Sequence, residues 1–70
     1  MKHPEFLQLM MQIGLTQRDM SVIAGVTTKT IRNWEHGNHH VPMSVALILR
    51  AIAENKVSIE WILNRVNLGG

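Results

Sequence analysis

Five side chains in one short stretch, Thr28, Lys29, Arg32, Asn33 and His36, have the types and spacing to do chemistry together. On a helix that turns about 100° per residue from Thr28, Lys29, Arg32, Asn33 and His36 fall on one side, with Thr28 and Thr30 on its flanks. Ile31 and Trp34 fall on the other, about 300° and 240° round the axis, and are the predicted inward anchors. The polar side is basic and rich in donors. Arginine and lysine can bond guanine O6 and N7, asparagine can pair with adenine N6 and N7, and threonine offers a hydroxyl and a methyl group that suits thymine. The start of such a helix adds backbone N–H groups and a positive dipole end that favour a phosphate. Any amphipathic helix has a polar face, so the elements that position this one decide how it is read.

Those elements are legible in caps and turns. Thr16 can cap a helix opened by Gln17, with Asp19 three residues on. Met20, Ile23 and Ala24 then share a face with small Ser21 on its flank. Gly25 follows, where a residue without a Cβ most easily adopts the left-handed conformation that ends a helix. Thr27 offers a second N-cap, and Gly37 a second glycine stop, for a helix from about Thr28 to Gly37. Each helix has only two to three turns. Isolated helices below ~12–15 residues are marginal in water, so both must lean on a larger core.

The segment GLTQRDMSVIAGVTTKTIRNWEHG resembles the helix-turn-helix of the phage-repressor and Cro superfamily, the Xre-like bacterial regulators. Its GLTQ opening, AGV turn, T-I-x-x-W-E-x-G helix and nearby proline carry the resemblance, which extends over most of the chain. It implies an all-α, compact five-helix, lambda-repressor-like domain that dimerises on a pseudo-palindromic operator and lays its third helix in the major groove. Carried over by position, the family's base contacts fall on Thr28, Lys29, Arg32 and Asn33. Its phosphate contacts fall on Gln17, Thr27 and His36 and on the following loop, Asn38, His39 and His40. Two departures stand out. Ser21 replaces a commoner alanine, and Met10 stands where many relatives carry an arginine paired with the glutamate equivalent to Glu35, which leaves Arg18 and Arg50 as alternative partners.

The remaining segments read as scaffold. Pro4 and Glu5 suit the first turn of an opening helix, with Phe6, Leu9, Met10 and Ile13 as its inward stripe and Gly14 at its end. Pro42 starts a helix whose run from Met43 to Ala53 is apolar nearly all round, which predicts a central position covered on several sides. Ser58 caps a last helix with Ile59, Ile62, Leu63 and Val66 toward the core. Trp61 and Leu68 lie on its far side beside Arg65 and Asn64. They are read as a homodimer contact, the alternative being that Trp61 covers a neighbouring loop or the chain end. The five methionines read as flexible gap-fillers.

Seventy residues make one domain, and a chain of this size buries only ~60% of the surface its unfolded form exposes, so association would help it. Seven lysines and arginines against five acids give a net charge of +2, a mild excess that permits nucleic-acid binding without demanding it. The absence of cysteine fits a reducing cytoplasm, and no apolar run or leader marks a membrane span or an exported chain. The loop HGNHH puts His36, His39 and His40 near one another, but zinc needs three or four converging ligands and adjacent histidines usually point apart. The loop therefore reads as a surface facing DNA phosphates, where imidazoles contribute hydrogen bonds. No metal, cofactor or small-molecule effector is expected. The five carboxylates are dispersed and no nucleophile or phosphate loop appears, which argues against an enzyme. The expectation is a small dimeric repressor that occludes a promoter. A phage or mobile-element regulator, an antitoxin-type autorepressor and an anti-CRISPR-associated autorepressor all fit. So does a different class, a protein-binding adaptor that keeps the fold without reading DNA.

Overall fold

The computed structural model describes the backbone of residues 1–69 and the side chains of residues 1–66. Among these the chain is all-helical, with five helices: α1 (His3–Ile13), α2 (Gln17–Ala24), α3 (Thr28–His36), α4 (Met43–Ala53) and α5 (Ile59–Gly69). Local chemistry sets most of the boundaries. Thr16 Oγ1 accepts from the Asp19 N–H at 3.0 Å, Thr27 Oγ1 from the Thr30 N–H at 3.3 Å, and Ser58 Oγ from the Trp61 N–H at 3.0 Å. Each satisfies a first-turn donor that has no partner within its helix. Gly25 (φ +70°) and Gly37 (φ +81°) end α2 and α3 in the left-handed region. Their N–H groups return to carbonyls of the last turn. After α4 the same role falls to Asn55 at φ +60°, a residue type that tolerates that region better than most.

The helices wrap one another in the pairs α1 with α3 and α4, and α2 with α3 and α5. Phe6, Met20, Ile31 and Leu49 are fully buried, and Met10, Leu15, Trp34, Val41, Val45, Ala46 and Ile52 complete the core. The Trp34 ring meets Phe6 edge to face, with centroids 5.8 Å apart and planes at 88°, the arrangement favoured by the ring quadrupoles. That contact fixes α3 against α1. Glu5 and Arg50 join α1 to α4 across the surface at 3.1 Å.

Three expectations are corrected. The α4 helix is not enclosed: Val45, Ala46, Leu49 and Ile52 face the core, but Met43, Leu47 and Ile48 are exposed. A domain of this size has too few neighbouring helices to cover both sides of one element. Met11 and Met43 are each 73% exposed, so gap-filling describes only Met10 and Met20, with Met1 at the core's edge. On α5, Ile59 and Ile62 pack against the core, whereas Val66 at the far end is exposed. No helix among the described residues is long and apolar enough to cross a membrane.

Candidate nucleic-acid interface

Helix α3 is held from behind. Ile31 is fully buried and Trp34 is 4% exposed, so the orientation of the helix follows from two anchors one turn apart. Thr28, Lys29, Arg32 and His36 are consequently exposed on the outer side, with Asn33 half-buried beside them. Lys29 and Arg32 have no carboxylate partner among the described residues, where the single ion pair is Arg50 with Glu5. Their charge therefore faces solvent uncompensated. Asn33 leans toward the following loop, where its Oδ1 accepts from Asn38 Nδ2 at 3.5 Å and its carbonyl accepts from the Asn38 N–H at 2.9 Å. The loop residues Asn38, His39 and His40 are all exposed.

The α2–α3 pair is held by hydrogen bonds that use some of the same residues. The Thr27 hydroxyl oxygen accepts the cap hydrogen bond and lies 3.2 Å from the Thr30 hydroxyl. Gln17 Nε2 donates to Glu35 Oε1 at 2.7 Å, so the partner of Glu35 is neither Arg18 nor Arg50. Arg50 is drawn to Glu5, and Met10 lies in the core at 3% exposure, where a charged side chain would have no solvent. Gln17 still has a second N–H, and the backbone N–H groups of the first turn of α2 have no partners within the helix. Ser21, buried at 8% exposure, donates its hydroxyl to the Arg18 carbonyl at 2.6 Å and so fits the helix contact without an unmet polar group.

A second surface lies on α4 and α5. Trp61 is 50% exposed and, with Ile48, Ala51, Val57 and Ile62, lines an open apolar groove of about 230 Å³. The Arg65 guanidinium covers one face of the indole at 3.6 Å from its centroid, a cation–π contact, and Nη1 donates to the Trp61 carbonyl at 3.4 Å. Leu68, the third residue expected in a dimer contact, lies outside the residues whose side chains are described.

Sequence reasoning did not anticipate where His3 sits. Its ring lies against Gly37, where a Cβ would come within 2.7 Å of His3 Nδ1 and 3.0 Å of its Cγ. Thirty-odd residues separate the two, so no local pattern points to it. Among the described residues, histidine and carboxylate side chains do not converge in threes around a point that a metal ion could occupy. The chain matches no family model, no curated protein and no solved structure.

Proposed function

We propose that this chain is a sequence-specific, double-stranded DNA-binding transcriptional regulator of the phage-repressor and Cro type, acting as a dimeric repressor. The observation that carries this reading is the outer face of α3: Thr28, Lys29, Arg32 and Asn33 stand on a helix anchored by Ile31 and Trp34, with no acid among the described residues paired to either cation. A helix seated by two buried anchors and carrying these side chains on its outer face suits the donor and acceptor pattern of a major groove. Gln17, Thr27, His36, Asn38, His39 and His40 supply hydrogen bonds for phosphates in this reading. With few lysines and arginines on this face, backbone amides and neutral side chains share the phosphate role, and the salt dependence of binding is moderate.

In this reading two copies associate through the apolar groove that Trp61 and Ile48 line, with Arg65 stacked on the indole. Dimer symmetry then sets the spacing of the half-sites. The test is selection of bound sequences from a random duplex pool at ~150 mM salt, followed by a shift assay on the winner. Recovery of an inverted repeat with half-site centres about one helical turn apart supports the proposal. No enrichment of any sequence overturns it in favour of a protein-binding adaptor.

A further inference from the structure

Beside the end of α3 the surface holds a cleft of about 390 Å³, lined by Met1, Lys2, His3 and Pro4 on one side and by Gly37, His39 and His40 on the other. None of its lining residues is acidic. Lys2 and the three imidazoles are exposed, and Lys2 has no ion-pair partner among the described residues. An ammonium offers three donors and a neutral imidazole offers one, and neither wall carries a carboxylate to repel an anion. Its shape depends on one glycine. The ring of His3 occupies the space that a side chain at position 37 would fill, which brings the start of α1 onto the end of α3.

We infer that this cleft is a clamp for a DNA backbone phosphate, formed jointly by Lys2 and His3 ahead of and within α1 and by His39 and His40 after α3. The inference rests on the proposed DNA-binding function and extends the contact surface beyond α2, α3 and the loop between α3 and α4. Position favours this occupant: Gly37, His39 and His40 of the cleft follow α3 directly in the chain, beside the exposed His36 and Asn38. A phosphodiester is the anion that such a surface meets repeatedly. Contacts of this kind fix register and affinity without reading sequence.

The experiment compares the parent with Lys2→Ala/His3→Ala, and with Lys2→Glu as a charge reversal, on the selected operator and on a scrambled duplex across a salt series. Circular dichroism establishes that the exposed substitutions leave the helices intact. The expected result is the same fractional loss on both duplexes, about threefold to tenfold, with the slope of log affinity against log salt reduced by about one unit per cation lost. Imidazole resonances of His3, His39 and His40 should move when scrambled duplex is added to the parent. Unchanged affinity and slope in both variants, or unmoved imidazoles, overturn the clamp. The two proposals fail separately. A parent that selects a sequence through Arg32 while Lys2 and His3 prove silent loses only the clamp. A parent that selects nothing, yet shows the imidazole shifts on scrambled duplex and loses affinity for it in both variants, keeps the clamp and loses the regulator.

Discussion

Gln17 Nε2 and Glu35 Oε1 lie 2.7 Å apart, a half-buried hydrogen bond that ties the first turn of α2 to the last turns of α3. It joins the two helices at the end away from their connecting turn, so their angle is fixed at both ends. A neutral donor to a carboxylate achieves this without an ion pair. Removing the amide should cost about 1–2 kcal/mol, since a hydrogen bond to a charged group is lost and Glu35 must find water instead. Gln17→Ala is expected to lower the urea midpoint accordingly, and Gln17→Glu to lower it further by facing two carboxylates. A midpoint unchanged in both variants would show that the bond contributes nothing to stability.

Arg32→Ala should weaken binding to the selected operator by about 1–3 kcal/mol and relax preference at one base-pair position, with a smaller effect on scrambled duplex. Asn33→Ala should do the same and also loosen the loop, because Asn33 bonds to Asn38 through its side chain. Equal losses on operator and scrambled DNA would reassign either residue to the backbone.

Trp34→Ala removes the edge-to-face partner of Phe6 and leaves a large void between α1 and α3. Truncating a core tryptophan typically costs about 3–5 kcal/mol, a large part of what a domain of this size has. The expected outcome is an unfolded or molten chain by thermal melting. A cooperative transition near the parental temperature would refute the seating of α3.

Gly25→Ala and Gly37→Ala both force a residue with a Cβ into the left-handed region, at about 1–2 kcal/mol each. They differ in surroundings. Nothing lies within 4 Å of a Cβ at position 25, whereas at position 37 it meets the His3 ring. Gly37→Ala should therefore be the more destabilising, and adding His3→Ala should recover the excess but not the backbone cost. Equal destabilisation of the two single variants in denaturant titrations would mean that His3 simply swings aside.

Trp61→Ala is expected to shift the chain toward monomer in sedimentation while changing protomer stability by no more than about 0.5–1 kcal/mol, because the indole is half exposed. An unchanged mass would count against an association of copies through Trp61.

The caps and stops of α2 and α3 were legible because Thr16, Thr27, Gly25 and Gly37 act on neighbours three or four residues away. Ile31 and Trp34 were legible for a related reason: helical periodicity alone separates them from Lys29 and Arg32. What depends on the number and direction of packing partners was not. The run from Met43 to Ala53 reads as enclosed, yet only tertiary structure determines that one side of α4 is left open. The partner of Glu35 lies eighteen residues away and is neutral, so a search among the cations could not find it. His3 against Gly37 is more distant still.

The two tryptophans divide the chain's optical signal between two events. The sequence has no tyrosine, so near-ultraviolet emission comes from Trp34 and Trp61. Trp34 is sealed against Phe6, while Trp61 meets solvent under a guanidinium. Emission from the first follows the integrity of the core, and emission from the second follows whatever covers the α4–α5 groove. A single-tryptophan pair, each with the other indole replaced by phenylalanine, thus resolves unfolding from association in the unlabelled protein.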